Sequence, residues 1–318
     1  MATILSKEQL NLLENILTQA LDSYEVIPSI SEEEQQAKAN AELLQAYLSA
    51  KKIEGCSEKT IGYYQSTIDT LFVAVCKPVC DVTTNDIRNY LSGYQEQRKV
   101  SRVTIDNMRR IFSSFFAWLE DEDFIVKSPV RRIHRVRTES LVKEVLTDEN
   151  MEVLRDSCQE IRDIAMIDLL ASTGMRVGEL VNLNREDIDF HERQCVVFGK
   201  GNKEREVYFN ARTKIHLQNY LSSRTDDNPA LFVSLSNPHS RLSISGVEVR
   251  LRTLGRKVNI AKVHPHKFRR TLATMASDKG MPIEQVQRLL GHVKIDTTLH
   301  YAMVNQNNVK MAHRKYIG

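Results

Sequence analysis

Between Ser101 and Leu119 the chain places Ile105, Met108, Phe112, Phe115, Phe116 and Leu119 three or four positions apart, with one exception where two aromatics are adjacent. At 3.6 residues per turn these side chains fall on one helical stripe, too apolar to face water and wide enough to need several neighbours. A strand would scatter them over both faces. The residues before this segment supply the partners. Leu43, Leu44, Tyr47 and Leu48 mark a first helix ended near Gly55, and Tyr64, Ile68, Leu71 and Phe72 mark a second, running from Ser57 to just before Pro78. Thr83 followed three residues later by Asp86 reads as a capping box that opens a third. Four helices with short connections predict a bundle.

After Asp123 the pattern changes. Residues 125–145 are basic, carry Pro129 near their start and read as an interdomain linker. Thr147 is a good N-cap, and Asp148 and Glu149 behind it suit the positive end of a helix dipole, so a second domain opens there. Ile161 to Ser172 reads as a buried helix stopped by Gly174, while CVVF (195–198) and EVYF (206–209) flank a GKGNK turn as a β-hairpin would. The remainder is again helical. The expected class is mainly α with a small β-sheet in two domains. It divides into an acidic N-terminal extension (1–36), a helical domain (37–124), the linker (125–145), and a mixed α/β domain (146–318) ending in a tail helix. A chain of 318 residues is long enough for two cores.

With 42% hydrophobic and 27% charged residues the composition is that of an ordinary globular protein. The longest apolar run, Leu71 to Cys76, falls far short of the ~18 residues that span a bilayer. The first 27 residues lack a basic leader and an unbroken apolar stretch, as a signal peptide would require. Five irregularly spaced cysteines (56, 76, 80, 158 and 195) read as reduced thiols, giving a cytoplasmic expectation with no metal site and no cofactor.

The net charge of +3 hides an asymmetry, because residues 1–36 carry seven acids against Lys7 alone. Leu10, Leu13, Ile16, Leu17 and Leu21 in that stretch recur at helical spacing ahead of an acidic tether. The excess of basic residues concentrates elsewhere. Lys127, Arg131, Arg132, Arg135, Arg137 and Lys143 face only Glu139, and Arg250, Arg252, Arg256, Lys257, Lys262, Lys267, Arg269 and Arg270 have no acid among them. Two acid-poor clusters favour a polyanionic partner, with Arg131, Arg132, Arg135, Arg137, Arg250, Arg252 and Lys267 as candidate phosphate contacts.

Chemistry concentrates in five short segments: TGMRVGEL (173–180), GKGNKER (199–205), HPHKFRRTLAT (264–274), LLGH (289–292) and DTTLHYA (296–302). They supply Arg176, Lys200, His266, Arg269, His292 and Tyr301. One tyrosine, two arginines, two histidines and a lysine are a complete set for breaking a phosphodiester. The tyrosine is the nucleophile, the arginines hold the phosphate charge, and the other groups move protons. Each is ordinary alone: H-x-x-R occurs by chance in many helices, and a Gly-Lys-Gly turn can be a solvated hairpin tip. GKGNKER is not a Walker loop, because neither Ser nor Thr follows Lys200. Tyr316 is the competing tyrosine and has no motif around it.

In their order and spacing these segments resemble the tyrosine recombinase (phage-integrase, Xer-like) family over residues 40–305, with GCSEKTIGYYQSTID (55–69) the most recognisable stretch of the helical half. The resemblance implies a two-domain clamp, an N-terminal core-binding bundle and a C-terminal catalytic domain. It implies that Arg176 and Arg269 grip the non-bridging oxygens while His266 and His292 hydrogen-bond the phosphate. It also implies that Lys200, with Lys203 as fallback, protonates the leaving 5′ oxygen, and that Tyr301 forms a 3′-phosphotyrosine without metal or ATP. The family usually has leucine before the second arginine and histidine after it, where this chain has Phe268 and Arg270. Implied partners are double-stranded DNA with paired recombination sites and a homotetramer on that DNA, or an assembly with a related recombinase or accessory directionality protein. A type IB topoisomerase-like relaxing enzyme and a catalytically silent DNA-binding regulator are the alternatives.

Overall fold

The computed structural model describes residues 7–21, 32–137, 144–199 and 204–291. Short polar side chains that bond to nearby backbone set most helix starts. After α1 (Lys7–Leu21) and α2 (Glu32–Ile53), Ser57 accepts from the Thr60 N–H at 3.3 Å and opens α3 (Glu58–Val75). The predicted capping box opens α4 (Thr84–Arg98). Thr83 Oγ1 accepts from the Asp86 N–H at 3.2 Å, and the Thr83 N–H donates to the Asp86 carboxylate at 2.9 Å. The bond from the Thr83 N–H, with the Lys77 ammonium, holds the Asp86 carboxyl down at about 2. Ser101 in turn opens α5 (Arg102–Asp121).

The stripe on α5 is buried as expected. Phe112, Phe115, Phe116 and Leu119 are sealed from solvent together with Tyr47, Ile68, Leu71 and Ile87 from α2, α3 and α4. Phe115 sits at the centre, its ring 5.2 Å from Tyr47, 6.0 Å from Phe72 and 5.3 Å from Phe116 in edge-on arrangements. The expected helix in the acidic extension is α1, whose Leu10, Leu13, Ile16 and Leu17 are exposed.

Two stretches differ from the sequence reading. The acidic tether is not separate from the first bundle helix, because α2 already begins at Glu32; glutamates suit the positive N-terminal end of a helix. Residues 125–137 were expected in the linker but lie on the bundle. Val130 is buried, Ile125, Ile133 and Val136 pack on the core, and Thr84 Oγ1 donates to the Pro129 carbonyl at 2.7 Å. The Val136 N–H donates to buried Asp106 at 3.1 Å. Val130, Ile133 and Val136 recur every third residue between the arginines, so one side of the segment is apolar and the other is basic.

The described residues group into two units, one up to residue 137 and one from residue 144. In the second, Thr147 caps α6 (Asp148–Asp156), and α7 (Ile161–Thr173) ends at Gly174 with φ of +59°. Then come α8 (Val177–Asn182) and a three-stranded antiparallel sheet of β1 (Ile188–Asp189), β2 (Gln194–Phe198) and β3 (Glu204–Tyr208) in that order. The predicted hairpin is β2–β3, with Cys195 opposite Val207 and Phe198 opposite Glu204. Helices α9 (Ala211–Ser222), α10 (Ile244–Lys257), α11 (Pro265–Asp278) and α12 (Ile283–Leu290) follow. The whole is mainly helical with one small sheet.

Helix α7 is buried nearly all round, and its two interior acids link it to its neighbours. Asp163 accepts from Arg162 at 2.8 Å and from Arg250 of α10 at 2.6 Å. Asp168 accepts from Arg155 of α6 at 2.6 Å and pairs with His216 of α9. A carboxylate buried this deeply needs such partners, and losing one costs more than the pair contributes.

Because Phe115 fills the centre of the first core, Phe115→Ala should destabilise that unit by about 3–5 kcal/mol. The measurement is the urea midpoint of the first unfolding transition; an unchanged midpoint would remove Phe115 from its central place.

Candidate active site

The loop between α7 and α8 has to present an arginine, and the local sequence does this in two steps. Gly174 ends α7 in a left-handed turn where a Cβ would stand 2.7 Å from the Leu272 side chain. Arg176 then takes the N-cap position of α8, and its own N–H is capped by Glu179 at 2.7 Å. The same carboxylate accepts from Arg176 Nη1 at 2.8 Å, while Arg176 Nη2 donates to the Gly291 carbonyl at 3.1 Å.

Glu179 has a second partner. Arg205, at an inward position of β3, donates Nη1 and Nη2 to its two oxygens at 2.6 and 2.7 Å, a two-point grip. Glu179 is buried, which by itself would raise its carboxyl. The hydrogen bonds from Arg205 and from the Arg176 backbone outweigh burial and hold it below the usual range. Arg205 Nε also reaches the Leu289 carbonyl at 3.4 Å. Its aliphatic stem lies so close to Gly291 (φ +64°) that a Cβ there would stand 2.7 Å from Cδ.

Arg269, on α11, is 3% exposed. Its Nη1 donates to the Gly174 carbonyl at 2.8 Å and its Nη2 to the Leu290 carbonyl. Both arginines therefore bond the C-terminal carbonyls of α12, and Arg269 also bonds that of α7. Those helix ends carry partial negative charge and attract cations. His266 lies in the first turn of α11 behind Pro265, three residues before Arg269 and on the same side of the helix. Its ring keeps an accessible edge. Loss of hydration against the surrounding protein, followed by the charges of Arg269, Arg176 and Arg270, holds its imidazole below the ordinary value. Arg176 and Arg269 meet at the consecutive Leu290 and Gly291 carbonyls, and His266 lies one turn from Arg269 on the same helix.

Of the expected catalytic residues, Arg176, His266 and Arg269 are thus brought together, while Lys200 with its fallback Lys203, His292, Tyr301 and Tyr316 lie outside the described residues. His292 directly follows Gly291 in the sequence. Among the expected phosphate contacts, Arg131, Arg132, Arg135, Arg137 and Arg252 are exposed. Two differ from expectation. Lys267 is 4% exposed and donates to the Ala261 carbonyl at 2.9 Å, because one step along α11 turns it away from His266 and into the protein. Arg250 is half-buried and paired with the buried Asp163. The sequence reading gave no role to Glu179 or Arg205. The signal for Arg205 was period two in β3, which places it on the same side as buried Val207.

Comparison with known proteins agrees with this arrangement. The phage integrase family model matches residues 144–308, and the phage integrase N-terminal SAM-like domain model matches residues 43–125. Tyrosine recombinase XerC of Staphylococcus aureus is 30% identical over 284 residues, covering 85% of this chain and 94% of that protein. Two solved structures share the fold at lower identity. The Tn1549 transposon integrase in complex with a circular intermediate DNA has a TM-score of 0.70 at 20% identity, covering 86% of this chain and 98% of that one. A lambda integrase dimer bound to a core site has a TM-score of 0.67 at 18% identity, covering 93% and 86%. With a catalytic-domain model spanning more than half its length and a relative aligned almost end to end, this chain belongs to the phage integrase family of tyrosine recombinases.

Proposed function

We propose that the chain cleaves and rejoins DNA at specific sites with Tyr301 as nucleophile, and that Arg176, Arg269, His266, His292 and Lys200 complete the site. The observation that supports this most directly is the convergence of Arg176 and Arg269 on the Leu290–Gly291 carbonyls, beside a histidine whose imidazole burial and then both guanidiniums hold below its ordinary value. Two fixed guanidiniums suit a phosphate that gains negative charge as it becomes five-coordinate. In the reaction the Tyr301 oxygen bonds to phosphorus and the bond to the 5′ oxygen breaks. Tyrosine has a pKa of ~10 in water, so it needs an acceptor for its proton, and neutral His266 can serve. The leaving oxygen takes a proton from Lys200. The phosphotyrosine ester keeps the bond energy, so religation by the 5′ hydroxyl needs no ATP.

Double-stranded DNA is the substrate and the cytoplasm the setting. The exposed arginines of 131–137 supply sequence-independent phosphate contacts. Exchange between two duplexes needs four cuts and each chain carries one such tyrosine, so four protomers act together on paired sites. The relatives above are recombinases and integrases, which favours strand exchange over supercoil relaxation or silent binding.

Tyr301→Phe removes one hydroxyl and should abolish the covalent adduct on nicked duplex DNA while leaving binding intact. Arg176→Ala and Arg269→Ala should each slow adduct formation by roughly 10²–10³. An adduct of parental yield from Tyr301→Phe would move the nucleophile elsewhere, and a parental rate in either alanine variant would remove that arginine from the site.

The imidazole of His266 should titrate below ~6.5, followed by NMR in the full chain. A histidine depressed on folding leaves stability intact above the unfolded value. It costs stability as pH falls through that value, because the unfolded chain takes the proton first. Cleavage should decline over the same acid window as the ring loses its acceptor. A midpoint at or above the ordinary value would contradict the crowding by Arg269 and Arg176.

A further inference from the structure

Glu179 stands between two arginines, Arg176 and Arg205, of which Arg176 is the more exposed. Its oxygens accept four hydrogen bonds: the N–H and Nη1 of Arg176 at 2.7 and 2.8 Å, and Nη1 and Nη2 of Arg205 at 2.6 and 2.7 Å. Arg205 is the closer partner and bonds through both of its terminal nitrogens. It is also the less exposed, its side chain 12% accessible against 34% for Arg176. Taken without Arg205, Arg176 and Glu179 form a neutral pair with little attraction for an anion. With Arg205 present the trio carries one net positive charge, and the more exposed arginine is Arg176.

We propose that Arg205 is a positioning residue that neutralises Glu179, so that the carboxylate can orient Arg176 without cancelling its charge toward the scissile phosphate. Arg205 itself does not touch the DNA. Its place in the chain gives it a second link. It lies on β3 just after the hairpin tip that carries Lys200, and its stem and Nε pack on the Leu289–Gly291 turn that precedes His292. One side chain thereby ties the first-arginine helix, the lysine hairpin and the histidine turn to a common anion site. This inference rests on the phosphodiester cleavage proposed above.

The probe is a set of nicked duplexes with a randomised central sequence, in which loss of the released strand end traps the covalent adduct. The most strongly retained sequence then serves for single-turnover rates with full-length protein. Arg205→Gln removes the compensating charge and should slow adduct formation by roughly tenfold or more, the scale of coupling within one hydrogen-bond network. Glu179→Gln combined with Arg205→Gln removes both charges, restores the net +1 around Arg176, and should recover most of the lost rate. Arg205→Lys keeps the charge but not the two-point grip and should lose much less than Arg205→Gln; it carries the same test if the glutamine variant folds poorly. A parental rate in Arg205→Gln would overturn the proposal. So would a double variant as slow as the single one or slower, or a lysine variant as slow as glutamine, since each is what a purely structural clamp gives. Tyr301→Phe run alongside separates the two readings: a persisting adduct refutes the nucleophile while the Arg205 comparison still reads out on that adduct.

Discussion

The catalytic unit is organised around a buried carboxylate. Burial disfavours the charged form of Glu179, the hydrogen bonds from Arg205 and Arg176 outweigh that cost, and the carboxylate in turn orients both side chains. From this centre the geometry spreads outward. Arg176 reaches the Gly291 carbonyl, Arg205 supports the same turn from the other side, and Arg269 joins the ends of α7 and α12. Glycines stand at two of the carbonyls that these arginines bond, Gly174 and Gly291, both in left-handed conformations that L side chains rarely adopt. The result is a rigid cationic frame assembled from segments far apart in sequence.

That frame solves an electrostatic problem. Several arginines gathered at one point repel one another and depress any neighbouring histidine, as His266 shows. Helix C-terminal carbonyls and one carboxylate offset part of the repulsion while leaving net positive charge where an anion would sit. Burial and the same crowding both hold the His266 imidazole below its ordinary value.

Much of this was legible in the sequence. The α5 stripe, the Thr83–Asp86 box, the β2–β3 hairpin and the stop at Gly174 are local signals, each written within a few residues. Arg176, His266 and Arg269 could be picked out because short motifs surround them. What escaped depends on partners distant in the chain. Arg250 looked like part of a basic surface, but its acid, Asp163, lies on another helix. Lys267 was counted with the same cluster, although neighbouring residues of a helix point about 100° apart and this one points inward. Residues 125–137 resemble a linker by charge, and the three-residue apolar period that docks them is the weaker signal.

The central claim is that this frame serves a tyrosine that bonds to DNA through phosphorus, and the most direct test locates that bond. Covalent adduct formed on a nicked duplex can be digested with protease and nuclease, and the modified peptide sequenced by mass spectrometry. The phosphonucleotide should sit on the peptide that contains Tyr301. A modification on Tyr316, on a serine, or on no peptide at all would contradict the assignment and require a different role for the arginine frame.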